Sequence, residues 1–383
     1  MTGRRRGPLD GIVVIDLTRV LAGPFCTMQL FDMGARIIKV EHPDGDDARH
    51  FGPFIDGRSA YFDSLNRGKE SIALDLGDKA DRALFESLLA GADVLVENFR
   101  PGALARRGYD WPTLHKRYPR LIYATLSGFG DSGPYRDRPA YDMVVQAMGG
   151  IMSITGEADG APVRVGTSIG DITAALFATS GILSALYERQ SGGQGSKIDI
   201  AMLDCQVAIL ENAIARYCAT GSVPGPLGAR HPSIAPFGVF RAADKPLVIA
   251  AGNDAMFRRL CKTIGAGELA ADGRFSDNHG RCDNAEALAA ALEAALATAP
   301  AAEWLGRLEN AGIPAGPIND IAAVCADPQV AARNMIVPVA GQEGLKVAGN
   351  PIKNSAFDDP GTRPGAPLLD QHRAALVAEF VDP

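Results

Sequence analysis

The chain has 383 residues, of which 46% are hydrophobic and 22% are charged, and this composition excludes a disordered, collagenous or disulfide-stapled protein. A formal net charge of −7, from 38 basic and 45 acidic residues, excludes a sequence-wide basic face for nucleic acid. The six cysteines are scattered without a CxxC pair or a zinc-type histidine spacing, so the sequence predicts no metal site and no disulfide frame and favours the reducing cytoplasm.

Short apolar, β-rich runs alternate with helical spacing in the first third of the chain. The sequence predicts helices over 22–34, 78–91 and 102–118, and strands over 11–17, 36–41, 71–76, 93–99 and 121–129. This alternation indicates right-handed crossovers and a parallel sheet, in which ligands bind at the carboxyl ends of the strands. No GxGxxG or Walker A loop follows the first strand, which argues against a standard dinucleotide dehydrogenase.

The rest of the chain divides at a region rich in glycine and proline. The apolar run 172–190, followed by the flexible 191–196, predicts a long buried helix. A strand over 197–202 and a helix to about residue 220 follow, and the Gly/Pro-rich stretch 221–232 marks a domain boundary. Residues 233–310 have the pattern of a small α/β unit. No apolar run approaches the roughly 18 residues of a membrane span.

Three side chains near predicted helix starts are candidates for chemistry. Asp171 follows Gly170 and directly precedes the long helix, so it fits an N-cap; the positive helix end would also keep it ionised, as a nucleophile requires. Tyr141 fits a half-buried anchor and Asp142 a second helix cap. In the functional alternative, this phenol and carboxylate bond a substrate carboxyl group or the nucleophile. Seven basic residues form a loose set near the predicted strand ends. Each one alone fits a solvated surface charge, whereas together they would neutralise the phosphates of a nucleotide. They are His42, Arg49, Arg67, Lys69, Arg100, Arg106 and Arg107.

Seven collinear segments give the sequence a resemblance to the class III CoA transferases, a family that also includes the α-methylacyl-CoA racemases. The segments cover some 300 residues. They are GIVVIDLTRVLAGPFCTMQLFDMGARIIKVEHPDGDDAR, LNRGKESIALDL, ENFRPGALARRG, LSGFGDSGPYRDRPAYD, GDITAALFATSGILSAL, APFGVFRAADKPLVIAAGN and AGIPAGPI.

The resemblance implies an α/β fold with a Rossmann-like large domain on a parallel sheet and a smaller α/β domain. The large CoA-binding domain would span 1–220 and be completed by the returning tail 330–383, with the small domain and its linkers over 221–329. Two chains would interlace as a homodimer. The family's nucleophilic aspartate falls on Asp171, and its CoA-contacting positions fall on Val20, Leu21, Ala22, His42, Leu74, Asn98, Phe99 and Arg106.

Two CoA-contacting positions depart from formyl-CoA transferase. The adenine and 3′-phosphate region lies near His42, where that enzyme has an arginine, and another of its basic contacts falls on Gly77, which has no side chain. Other side chains of this protein are therefore expected to contribute to phosphate binding than in formyl-CoA transferase.

The implied reaction moves CoA from an acyl-CoA to a carboxylic acid. Asp171 would form a mixed anhydride and then an aspartyl-CoA thioester, which splits one difficult transfer into easier steps. CoA and acyl-CoA are substrates here; no permanently bound cofactor, metal, nucleic acid or membrane is expected.

Two other functions remain open from the sequence. An α-methylacyl-CoA racemase has a histidine at the position of Tyr141, and a phenol with a pKa of ~10 is a poor base for an α-proton. A non-catalytic CoA-binding protein would keep Asn98 and Phe99 but would not need Asp171.

The segment GARHPSIAPFGVF (228–240) resembles the start of the small domain in family members that handle dicarboxylates. It supplies Arg230 and His231 as candidate substrate-binding residues. An arginine can pair a remote carboxylate through two parallel hydrogen bonds, so a small dicarboxylic acid is the expected substrate. The alternative is that both residues decorate a linker.

Overall fold

A computed structural model describes residues 7–381 and divides the chain into two compact units. The first unit contains the chain up to Ile151, the segment Arg164–Ala219 and the chain from Pro328 onward. The second unit contains Met152–Val163 and Thr220–Asp327. The segment 152–163 thus packs with the second unit and not, as the sequence predicts, with the large domain.

A six-stranded parallel sheet forms the centre of the first unit. The strands up to residue 201 are Val13–Asp16 (β1), Arg36–Glu41 (β2), Phe54–Ile55 (β3), Arg58–Ser59 (β4), Glu70–Ala73 (β5), Val94–Glu97 (β6), Ile122–Ser127 (β7) and Lys197–Ala201 (β8). The spatial order is β5-β2-β1-β6-β7-β8, while β3 and β4 form a separate hairpin. The chain therefore reverses direction across the sheet between β1 and β6, as in doubly wound folds. The predicted parallel α/β sheet is confirmed.

Helices cover both faces of this sheet. They are Ala22–Asp32 (α1), Ala60–Asn66 (α2), Lys79–Ala90 (α3), Trp111–Arg117 (α4), Asp142–Met148 (α5), Ile169–Gly192 (α6), Met202–Ala208 (α7) and Ala213–Thr220 (α8). Successive strand residues point to opposite faces, so Val14 packs in the core with α1 and α6, and Ile15 packs with α3 and α4. The single helix predicted over 102–118 is wrong. Gly108, at a φ of +87°, separates a short 3-10 helix at Ala105–Arg107 from α4.

Helix α6 has 24 residues and is long and apolar enough to cross a membrane. Half of its most apolar stretch is buried within the protein, where Ala174, Ala178 and Ile182 join the core beneath the sheet. Packing in this core accounts for the apolar composition of the helix.

The second unit has its own small core. Its three-stranded antiparallel sheet contains Phe237–Arg241 (β9), Pro246–Ala250 (β10) and Ala315–Pro317 (β11). Its helices are Asp254–Thr263 (α9), Asn278–Asp283 (α10), Ala285–Leu296 (α11), Ala301–Asn310 (α12) and Ile321–Ala326 (α13). Leu247, Phe257, Leu292 and Trp304 meet in this core.

The C-terminal tail packs onto the first unit. Its elements are Pro328–Ala332 (α14), Ile336–Pro338 (β12), Lys346–Ala348 (β13) and Arg373–Phe380 (α15). Leu376 of α15 is fully buried against the face of the sheet that α3 and α4 cover.

Candidate active site

Asp171 lies in the first turn of α6 rather than at its N-cap. The helix begins at Ile169 and Ser168 occupies the N-cap position, so the expected N-cap role of Asp171 is wrong. Its carboxylate is half-buried, and within residues 7–381 it makes no hydrogen bond or ion pair. It is thus available to a ligand.

The carboxylate of Asp142 fastens the start of α6 to α5. One oxygen accepts a hydrogen bond from the backbone N–H of Gly170 at 2.8 Å, and the other accepts one from Nε2 of Gln146 at 2.7 Å. The guanidinium of Arg164 lies 3.9 Å from the second oxygen. Asp142 was expected to cap its own helix; instead it satisfies a free amide of α6, directly before Asp171.

Gly170 allows this contact because a side chain would not fit. A Cβ atom there would lie 2.7 Å from Cγ2 of Val145 and 3.0 Å from Oδ1 of Asp142. Tyr141, expected to be a half-buried anchor, is instead 79% exposed.

The environment of Asp171 opposes ionisation. Burial, with a smaller contribution from the negative charge of Asp142, raises the pKa of Asp171 to about 7. The positive end of the helix was expected to keep this carboxyl ionised. Burial and the charge of Asp142 act in the opposite direction.

Tyr61 of α2 belongs to the same electrostatic environment. Burial and the charges of Asp171, Asp46 and Asp142 raise the pKa of its phenol to about 12. Tyr61 lies within a short helix without any motif, so no signal in the sequence points to it.

A cavity of about 460 Å³ opens at the carboxyl ends of β1, β2, β5 and β6, where the strand order reverses. Three of the predicted CoA-contacting residues, His42, Leu74 and Phe99, line it. Arg107 lines it as well, whereas its neighbour Arg106 does not. The lining residues are Leu17, Thr18, Arg19, Lys39, Val40, Glu41, His42, Asp44, Gly45, Asp46, Asp47, His50, Leu74, Asp75, Leu76, Phe99, Ala103, Leu104 and Arg107.

The other predicted CoA-contacting residues belong to the turns around this cavity. Leu21 and Ala22 form the start of α1. The side-chain amide of Asn98 accepts a hydrogen bond from the Arg19 N–H and donates one to the Arg19 carbonyl, both at 2.8 Å. Asn98 therefore joins the turns after β1 and β6, and Val20 follows in the first of them.

Three members of the predicted basic set have structural partners. Arg49 pairs with Glu41 at 2.7 Å, and Arg67 and Lys69 are buried against Asp32 and Asp16 at 2.8 and 2.9 Å. These cations are already neutralised by carboxylates and are not free phosphate ligands.

Arg230 and His231 lie in the second unit. Arg230 lines a cavity of about 290 Å³ and forms no ion pair with the described residues. The imidazole of His231 stacks on Phe237 with ring centroids 5.2 Å apart. The cavity is bounded by Glu157, Ala158, Leu227, Gly228, Ala229, Arg230, Ala235, Pro236, Phe237, Gly238, Val239, Phe240, Ala285, Glu286, Leu288 and Ala289.

Comparison with known proteins identifies the class. The sequence profile of CoA-transferase family III matches residues 9–373. An acetyl-CoA:oxalate CoA-transferase of Acetobacter aceti is 52% identical over 99% of this chain and 97% of its own length, and a succinate–glutarate CoA-transferase of Agrobacterium fabrum is 42% identical over 98% and 96%. The crystal structure of a CAIB/BAIF family protein from Brucella suis matches with a TM-score of 0.86 and 42% identity, covering 98% of this chain and all of that one.

The chain therefore belongs to CoA-transferase family III. It is an enzyme that transfers CoA between an acyl-CoA and a carboxylic acid.

Proposed function

We propose that the enzyme transfers CoA to or from a small dicarboxylic acid, with Asp171 as the covalent nucleophile. The observation that carries the mechanism is the position of Asp171. Its half-buried carboxylate is unpaired within the described structure, while Asp142 and Gly170 fix the helix turn that holds it. A group held in this way is free to react without first breaking a protein contact.

The proposed chemistry needs only carboxylates and a thioester. The Asp171 carboxylate attacks the donor thioester carbonyl and expels CoA thiolate, which leaves an aspartyl mixed anhydride. The thiolate then attacks the aspartyl carbonyl and releases the donor acid, so that CoA is held as an aspartyl thioester. The acceptor carboxylate attacks this thioester and the same two steps run in reverse, which regenerates Asp171.

The experiment replaces Asp171 by alanine. Transfer should be abolished while binding of CoA persists, since the other carboxylate at this helix start, that of Asp142, is engaged by Gly170 and Gln146. Asp204, the exposed acidic residue in the first turn of α7, provides a matched control, and Asp204→Ala should keep full turnover. Treating wild-type protein with acyl-CoA and hydroxylamine should modify Asp171 and be detected by mass. Near-normal turnover of Asp171→Ala, or no modification, refutes the mechanism.

The cavity at the carboxyl edge of the sheet is the proposed CoA site. Phe99 and Leu74 offer apolar surface for pantetheine or adenine, Arg107 offers positive charge for phosphate, and the imidazole of His42 lies at the same edge. Arg106 and Arg107 form a matched pair on one short helix. If the cavity is the site, Arg107→Ala weakens CoA binding more than Arg106→Ala; the reverse order restores Arg106 as the phosphate contact.

A homodimer is part of the proposal, and its interlacing rests on the family resemblance. Helices α5 to α8 carry large exposed apolar side chains, which in soluble proteins are typical of interaction surfaces. They include Tyr141, Met143, Met148, Leu176, Phe177, Tyr187, Ile214 and Tyr217. Sedimentation at twice the 40.2 kDa chain mass supports the dimer, and sedimentation as a monomer refutes it.

A further inference from the structure

The turn between β1 and α1, residues 18–20, forms part of the cavity wall. Thr18 and Arg19 line the cavity directly. Val20, the next residue, has a φ of +66°, a left-handed conformation that β-branched residues rarely adopt. Such a conformation persists only where surrounding contacts hold it.

Side chains from other elements hold the first two residues of this turn. The backbone N–H of Thr18 donates to Oδ1 of Asp16 at 2.9 Å, and the Thr18 carbonyl accepts from Nζ of Lys39 at 2.7 Å. The N–H and carbonyl of Arg19 both bond to the amide of Asn98. Among residues 7–381 the turn thus has no backbone hydrogen-bond partners and depends on side chains for its shape.

Asp46 holds the strained residue. Its carboxylate accepts hydrogen bonds from the N–H of Val20 at 3.1 Å and from the N–H of Ala48 at 3.0 Å. Nζ of Lys39 donates to the same carboxylate at 2.9 Å, and neither side chain of this pair is exposed to solvent. Lys39 therefore contacts both ends of the turn, once directly at Thr18 and once through Asp46.

Stability alone is a weak explanation for this buried pair. Removing two charges from water costs about as much as their attraction returns, and apolar residues often replace such pairs without loss. What apolar side chains would not supply is an acceptor for the Val20 N–H and a donor for the Thr18 carbonyl. The pair instead provides the fixed polar contacts that select one conformation of the turn.

We propose that Asp46 is a positioning residue for CoA binding: with Lys39 it holds the turn 18–20 in the shape that receives the CoA thioester. This rests on the proposed function, in which the 460 Å³ cavity is the CoA site. A preformed turn does not have to be ordered when the ligand binds, so the gain is in affinity for CoA. The chemistry at Asp171 needs no contact with Asp46.

The test is Asp46→Asn, which preserves the shape of the side chain but removes the charge that faces Lys39. The dissociation constant for CoA and the KM for acyl-CoA should rise about tenfold or more, while kcat at saturation stays within about threefold. Asp32→Asn is the matched control, because Asp32 forms a buried pair with Arg67 at 2.8 Å and does not line the cavity. It should lower the unfolding temperature without changing CoA affinity.

Measuring Asp46→Asn in a second variant, Val20→Gly, distinguishes a role in positioning the turn from a general loss of packing. Glycine adopts positive φ without strain, so in Val20→Gly protein the turn no longer depends on Asp46 to the same extent. Asp46→Asn should therefore weaken CoA binding less in the Val20→Gly background than in wild type. Equal weakening in both backgrounds overturns the proposal.

The remaining outcomes are also decisive. If Asp46→Asn does not fold, Asp46→Glu, which retains the charge but shifts the carboxylate, is measured with the same expectation of raised KM and unchanged kcat. If wild-type protein binds CoA and Asp46→Asn binds it equally well, the role of Asp46 is refuted while the cavity assignment stands. If wild-type protein binds no CoA, the cavity assignment itself fails.

Discussion

Burial gives Asp171 a basicity that an exposed carboxylate lacks. With its pKa raised to about 7, the ionised form is a stronger nucleophile than that of an ordinary aspartate. Asp142 contributes through its charge and also holds the turn in place through Gly170. The two carboxyls therefore have different roles that their surroundings determine.

This pair predicts a pH dependence of transfer. In the proposed mechanism the ionised carboxylate is the reactive form, so kcat/KM for the acyl-CoA donor should rise with pH around a midpoint near 7. Asp142→Asn removes a like charge, which favours the ionised form of Asp171, so the midpoint should move to lower pH. Rate measurements between about pH 5 and pH 9 decide this. A midpoint that stays in place in Asp142→Asn contradicts electrostatic coupling between the two carboxyls.

At the scale of elements, the local sequence pattern predicts helix α6 but does not predict the structure of its first turn. The spacing of apolar residues predicts the long helix because that spacing follows from its own burial. The position of Asp171 within the helix depends on a hydrogen bond from the N–H of Gly170 to Asp142, which lies 28 residues earlier, while Ser168 at the N-cap makes no side-chain capping bond. Contacts of this kind arise from tertiary packing and leave no periodic signal in the sequence.

The start of α6 supplies a prediction on stability. Gly170→Ala should destabilise the protein by about 1–3 kcal/mol, because the new methyl group would overlap Val145 and the carboxylate of Asp142. Turnover should fall by more than the loss of folded protein explains, because the movement that relieves this overlap also displaces Asp171. Chemical unfolding and turnover measure the two effects.

A glycine at the other end of the same helix gives the control. A Cβ at Gly192 would meet no atom within 4 Å, so Gly192→Ala should leave stability and turnover close to wild type. Equal behaviour of the two alanine variants would show that close packing at Gly170 is not what positions Asp171.

At the scale of the whole molecule, the sheet could be predicted from the sequence, but the shape of its ligand edge could not. Apolar strands between helices predict a parallel sheet and the edge where ligands bind. Lys39 lies inside β2, where lysine is usually exposed, and pairs with Asp46 in the loop that follows the strand. Lys69 lies directly before β5 and pairs with Asp16 at the end of β1, 53 residues earlier. The expected place of Lys69 in a phosphate-binding set is therefore wrong, because its ammonium group is buried against Asp16.

The last prediction concerns Arg230 of the second unit and the carboxylic acid substrate that it would select. Arg230 supplies the positive charge of the 290 Å³ cavity within the described structure, where Glu157 and Glu286 supply negative charge. A free guanidinium can bind a second carboxylate through two parallel hydrogen bonds, and a monocarboxylic acid lacks that group.

The comparison uses succinate, glutarate and oxalate against butyrate and valerate as acceptors. The dicarboxylates should have the higher kcat/KM, and Arg230→Ala should reduce their advantage by about tenfold, as expected when one charge-assisted contact is lost. Arg258, an exposed arginine of α9 outside the cavity, is the matched control, and Arg258→Ala should leave the ratio unchanged. A preference for monocarboxylates refutes dicarboxylate selection. An unchanged ratio in Arg230→Ala removes Arg230 from recognition of the acid, while transfer through Asp171 is unaffected by either result.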